Sequence, residues 1–225
     1  MRGRSRPCSL TGLALRSREP DMSAPNARSR AMGTPPRRRA TYDDLRSVPG
    51  DRIAEIIDGE LVTSPRPASR HGYAHTRIVS TLDGAFGEPG SGGPGGWWVL
   101  LEPELHLQDD VLVPDVAAWR RERMPELPDV PAFTLAPDWV CEVISPGSGR
   151  VDRAKKLPIY AREGVGHLWL VDPLARTLET YRLEGGRWSL LATHGGDDCV
   201  RAEPFGAIEL PLARWWLPEI TPATR

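Results

Sequence analysis

No apolar run in the sequence approaches the ~18 residues a membrane-spanning helix needs, so a membrane protein of that kind is excluded. Cysteine is scarce. Cys8, Cys141 and Cys199 are too few and too scattered for a disulfide framework or a four-cysteine zinc site, which points to a reducing, cytoplasmic setting. There is no internal repeat. The Gly-rich stretch GEPGSGGPGG (87–96) lacks the Lys-Ser/Thr ending of a phosphate-binding loop and reads as a polar linker. His71 and His75 have the i, i+4 spacing of a zinc helix, but the catalytic Glu of the zinc-protease pattern is missing between them. What is present is 225 residues, 40% apolar, enough for one domain with a core and a tail.

The net charge of −1 conceals an asymmetry. Residues 1–40 contain ten Arg and no Lys against Glu19 and Asp21, and sum to +8; the other 185 residues sum to −9. The first 40 residues show neither helical nor strand periodicity and read as a disordered basic tail. SLTGLAL is too weak for a signal-peptide core, and the Arg-rich start resembles a transit peptide only in composition. Met22 and Met32 are alternative starts, with the ordered domain expected over 41–217 and a short tail over 218–225. The basic segment can alternatively touch nucleic acid nonspecifically.

From Thr41 the texture changes. Thr41 with acids in the following turn predicts a short helix. RIAEIIDGELVTSP predicts two strands about Asp58-Gly59. Ile78, Val79, Leu82 and Phe86 predict a helix over 69–86. Strands are expected at 97–101, 104–107, 111–117, 138–145 and 167–172. A hairpin is expected at 177–183 and 187–192, and a further strand within 200–216. Residues 121–137 read as loop with one helical turn, 146–150 as a turn, and 152–162 as a helix. This order predicts an α/β mixed sheet rather than a sandwich.

Two carboxylates are out of place. Glu142 lies inside DWVCEVIS, where Trp139, Cys141 and Val143 alternate with Val140, Glu142 and Ile144. Both faces are apolar, as in a central covered strand. A carboxylate there needs a cation, a metal or a proton, because leaving it unpaired costs several kcal/mol. Asp115 sits in VLVPDVAAW after Pro114, which cannot donate to a ladder and so interrupts the strand. Two such acids on neighbouring strands would form a hard oxygen site suited to Mg²⁺. Lys155 and Lys156 fall in the first turns of the helix after Glu142, where a cation opposes the helix dipole but can return toward the strand end. Cys141 points away from Glu142. His71 can line the cleft, whereas His106 and His167 read as structural and His194 as a loop residue.

VPDVAAW, WVCEVISPGSGRVDRAKKLPIYAREGVGHLWLVDP and EIIDGELVTSPRPASRHG resemble the Uma-type putative restriction endonuclease family of the PD-(D/E)XK nuclease superfamily, from about Asp43 to Trp216. The resemblance implies a restriction-endonuclease-like mixed β-sheet flanked by helices, with additional N-terminal strands and a C-terminal hairpin. It also implies that Asp115, Glu142 and the Val143 carbonyl bind a divalent metal, Mg²⁺ or Mn²⁺. The motif's usual Lys, two residues after the second acid, is replaced here by Ile144. The resemblance shifts that basic role to Lys156, with Lys155 as the alternative. Glu60, Glu102 and Glu104 resemble accessory acids.

The implied function is metal-dependent hydrolysis of DNA phosphodiester bonds, with a homodimer expected for cutting both strands. A catalytically inactive nuclease-fold binding or assembly module is the alternative, and a hydrolase of smaller phosphoesters is a third. The −9 of the folded part opposes passive DNA binding. Local basic groups lie at Arg120, Arg121 and Arg123 after the Asp115 strand, and at Arg150, Arg153, Lys155 and Lys156 after the Glu142 strand.

Overall fold

Asp58 and Gly59 both adopt positive φ (53° and 77°). That is the backbone a two-residue hairpin turn of the primed type requires, and it joins β1 (Arg52–Ile57) to β2 (Glu60–Pro65) in register. The computed structural model describes residues 38–87 and 93–218. The expectations for residues 1–37, most of the Gly-rich stretch and residues 219–225 fall outside them. Thr41 caps the first helix, α1 (Tyr42–Arg46), reciprocally with Asp44, as its spacing predicts.

The architecture is α/β, with two larger sheets. β1 and β2 join β4 (Leu105–Leu107) and β5 (Asp110–Leu112) in a four-stranded antiparallel sheet of order β2-β1-β5-β4. The larger sheet is mixed, with order β10-β9-β8-β7-β6-β3. It comprises β3 (Trp97–Leu101), β6 (Val116–Arg120), β7 (Trp139–Val143), β8 (His167–Asp172), β9 (Thr177–Glu184) and β10 (Arg187–Gly195). β7 runs parallel to β8 and antiparallel to β6. A small ribbon of β11 (Cys199–Val200) and β12 (Leu210–Pro211) follows.

Two expectations, the strand over 111–117 and the place of His194, are corrected. The strand expected over 111–117 is two strands in different sheets, β5 and β6, because Pro114 ends the ladder and the chain crosses between sheets there. Residues 121–137 are loop with a single bridge at Phe133, and open on one hydrogen-bonded turn in which the Arg123 and Met124 amides both donate to the Arg120 carbonyl. His194 lies in β10, paired with Leu178, because the hairpin runs past its expected end through a bulge at Leu190/Ala192.

The alternation of β7 divides the core. Trp139, Cys141 and Val143 pack with Ala74, Ile78 and Leu82 of α2 (Ser69–Leu82). Val140 and Ile144 pack on the other side with Ile159, Tyr160 and Leu168. The first layer is aromatic. Phe205 meets the rings of Phe86, Trp97, Trp139 and Trp169 at centroid distances of 4.9, 4.9, 5.0 and 5.6 Å. Among the described residues no helix is long and apolar enough to cross a membrane.

Phe205 is fully buried. Phe205→Ala should destabilise the protein by about 3–5 kcal/mol through lost contact and a cavity. Thermal unfolding followed by circular dichroism checks this; an unchanged midpoint would show that the aromatic layer does not hold the sheet.

Candidate active site

β7 ends at Val143 and the chain turns through Ser145–Ser148 into α3 (Gly149–Val151), a π-helical turn (Asp152–Lys156) and α4 (Leu157–Arg162). Such π turns recur at functional sites because they rephase the side chains around them. Asp152, Lys156 and Tyr160 follow one another at spacings of four residues, and all three face back onto β7. Glu142, which points into that layer, accepts a hydrogen bond from the Tyr160 hydroxyl at 2.7 Å. The Lys156 ammonium lies 3.3 Å from Glu142 Oε1, 3.6 Å from Asp152 Oδ1 and 2.9 Å from Glu55 Oε1. Glu55 comes from β1 in the other sheet and also accepts from the Val113 amide at 2.8 Å. Glu55, Glu142, Asp152 and Lys156 are each 2–5% exposed.

Asp115 stands just before β6. The β6–β7 register pairs Val116 with Cys141, and one step further it sets Asp115 against Glu142. The Asp115 carboxylate accepts from the Val143 amide at 2.6 Å and lies 3.2 Å from His71 Nε2. Its backbone carbonyl accepts from His75 Nε2 at 2.5 Å and from the Glu102 amide at 3.0 Å. The i, i+4 histidines of α2 therefore hold Asp115 by side chain and backbone at once. Asp115, Glu142, Val143, Lys156, Glu55, Asp152 and His71 all line one cleft of about 340 Å³.

The electrostatics follow from this crowding. Burial pushes the Glu142 carboxyl well above the ordinary range; Lys156 opposes that, and Asp152, Asp115 and Glu55 add to it. Burial likewise raises Asp152, against Lys156 and a hydrogen bond from Ser148. Burial alone would lower Lys156, but Glu142, Glu55 and Asp152 overcome it and hold the ammonium charged well beyond its usual range. Burial, then the charges of Glu142 and Glu55, raise Tyr160, which stays a donor. Burial lowers His71, yet Asp115, the Val143 backbone and Glu102 outweigh it and raise the imidazole overall.

Three buried carboxylates thus share one ammonium, with Asp115 beside them. The excess negative charge, the oxygen donors and the His71 imidazole fit a divalent cation. His71, His75 and Asp115 also place ligand atoms within 4.8 Å of one another. Burial leaves His71 Nδ1 without a hydrogen-bond partner.

The other candidates go elsewhere. Lys155 is half-exposed and pairs with Glu60 at 2.8 Å, away from the buried cluster. Glu104 bonds Tyr42 and His106. Glu102 lies next to Asp115 and 3.8 Å from Arg66, which lines the cleft. Arg120 and Arg121 stack on Trp97 and Trp98, and Arg123 pairs with Asp138, so this basic group is tied to the protein. Glu55, Asp152 and Tyr160 join the site without being singled out by the sequence. Glu55 carries the same signal as Glu142, an acid inside an apolar strand (RIAEII), and the other two share the helical spacing of Lys156.

The fold and cleft together define an α/β domain with an acidic centre at the end of its central strands. The family model Uma2, described as a putative restriction endonuclease, matches residues 39–213, and the chain belongs to that family. A putative nuclease belonging to DUF820 from Anabaena variabilis, known from a crystal structure, has a similar fold. The two share 23% identity with a TM-score of 0.65, covering 79% of this chain and 99% of that one. No curated protein matches the chain.

Because the carboxyls of Glu142 and Asp152 and the imidazole of His71 are all raised, the folded protein binds more protons than the unfolded chain above the ordinary carboxylate range. Stability of the metal-free protein should therefore fall as pH rises from about 5 to 8. Lys156 contributes no slope there, since it is charged in both states throughout, and His167, which burial lowers, opposes the trend as one group against three. Mg²⁺ should reduce the loss at the alkaline end. Thermal midpoints across this range, with Mg²⁺ and with chelator, check this. A midpoint that rises with pH in chelator would contradict the charge imbalance.

Proposed function

We propose that the protein is a metal-dependent DNA endonuclease, with Mg²⁺ or Mn²⁺ held by Asp115, Glu142 and the Val143 carbonyl, and His71 beside them. The observation that carries this reading is the meeting of Asp115, just before β6, and Glu142, within β7, in one half-buried cleft whose acids outnumber its ammonium. Membership of a family described as putative restriction endonuclease supports DNA as the substrate.

The chemistry a divalent ion would supply, if held by these residues, is Lewis-acid stabilisation of a phosphodiester oxygen and activation of water. The protein's own groups prepare that chemistry. The Val143 amide and His71 fix the Asp115 carboxylate before any substrate arrives, so no reorganisation is needed during reaction. The Tyr160 hydroxyl and Lys156 orient Glu142, and the Lys156 charge works against the burial that raises its carboxyl. Lys156 is a fixed positive charge rather than a proton acceptor: three carboxylates surround its ammonium and hold the proton on. Its place is to stabilise negative charge that develops at the cleft. Arg66, between Pro65 and Pro67 at the cleft wall, supplies a cation for the DNA backbone.

Glu142→Gln and Asp115→Asn should each lower Mg²⁺-dependent cleavage of plasmid DNA by roughly 10²-fold or more. Lys156→Ala should lose most activity, and Lys155→Ala, which breaks only a surface pair of little energetic weight, should lose little. Full activity in purified, folded Glu142→Gln would sink the assignment. Wild-type protein inert on duplex and single-stranded DNA with Mg²⁺ and with Mn²⁺ would favour a non-catalytic module.

A further inference from the structure

Taking the cleft as the metal centre just described, its acids exceed what one divalent ion needs, and they fall into two groups. On one side are Asp115, His71 and the Val143 carbonyl. On the other, Glu55 and Asp152 close around Lys156 at 2.9 and 3.6 Å. Glu142 is shared: Oε1 faces both Lys156 and the Tyr160 hydroxyl, and Oε2 lies 3.5 Å from Lys156. Centres that use two metals for phosphodiester hydrolysis hold their ions about 3.5–4 Å apart, a spacing at which one carboxylate can contact both. Here one of the cation positions beside the shared carboxylate is already filled by an ammonium group.

We propose that Lys156 occupies the seat of a second metal, locked there by Glu55 and Asp152, so that the centre takes one divalent ion per chain, on the Asp115 side. Several features make the arrangement permanent. Lys156 is 5% exposed. An ammonium has three donor hydrogens, and it has three carboxylates around it. A second ion contacting Glu142 would sit beside a like charge in a site shielded from water, where repulsion is strong. Glu55 is held by the Val113 amide and Asp152 by a hydrogen bond from Ser148, so each acid has a second anchor besides Lys156. Glu55 and Asp152 are therefore positioning residues, acting through Lys156.

Mn²⁺ binding to the purified full chain, counted by calorimetry and by the electron paramagnetic resonance of free Mn²⁺, tests this. The wild type should bind one Mn²⁺ in the cleft, lost in Asp115→Asn. Lys156→Ala exposes three carboxylates to one another and should bind two. Two ions in the wild type, both lost when cleft acids are changed, would overturn the proposal while leaving the metal centre standing. No Mn²⁺ bound at all would remove the metal centre and this proposal with it. A folded Lys156→Ala that still binds a single ion would also overturn it. If that variant does not fold, the wild-type count decides alone.

Discussion

The contact on which the rest of the structure depends is the one between the Lys156 ammonium and the three carboxylates of Glu55, Glu142 and Asp152. All four groups are withdrawn from water, and each would cost several kcal/mol if left alone. Their attraction compensates only part of that cost, since acids outnumber the base. A buried ion pair is weak evidence for stability; an unbalanced buried cluster at the floor of an open cleft is evidence that something else is meant to bind there. The raised carboxyls of Glu142 and Asp152 express the same imbalance in protons.

The fold brings this cluster together from three directions. The small antiparallel sheet contributes Glu55, the central strand of the mixed sheet contributes Glu142, and the helical run after that strand contributes Asp152, Lys156 and Tyr160. The break at Pro114 lets the chain leave one sheet and enter the other, and Asp115 stands at that crossing. Behind β7 the packed rings around Phe205 keep the strand in place, while His71 and His75 of α2 hold Asp115 from above. Glu55, Glu142 and Lys156 are thus set on strands and helix, Asp115 stands in the short crossing before β6, and loops form the mouth, in the Pro65–Pro67 and Ser145–Ser148 segments.

Part of this was legible in the sequence. The period-two alternation of β7 made Glu142 stand out as an acid in a covered strand, and Pro114 marked Asp115 as a residue at a ladder's end. Hairpin turns, the Thr41 cap and the order of strand, helix and strand could also be read locally. Glu55 carries the same signal as Glu142 in RIAEII, but its meaning depends on a contact between two sheets that one strand's pattern does not contain. Glu60 and Glu104 looked equally acidic in sequence; the register turns Glu60 outward to Lys155 and gives Glu104 to Tyr42 and His106. Single-strand periodicity could not show that residues 111–117 serve two sheets, because the crossing is a property of the pairing partners. Nor could it show the burial of Lys156, which the helix dipole alone disfavours and only three converging acids make tenable.

The most direct measurement is the anomalous diffraction of crystals of the protein grown or soaked with Mn²⁺. The account predicts a single peak in the cleft, within coordination distance of the Asp115 and Glu142 carboxylates and the Val143 carbonyl, with Lys156 still seated among Glu55, Glu142 and Asp152. A cleft without a peak at saturating Mn²⁺, or an ion bound only elsewhere on the protein, would contradict it.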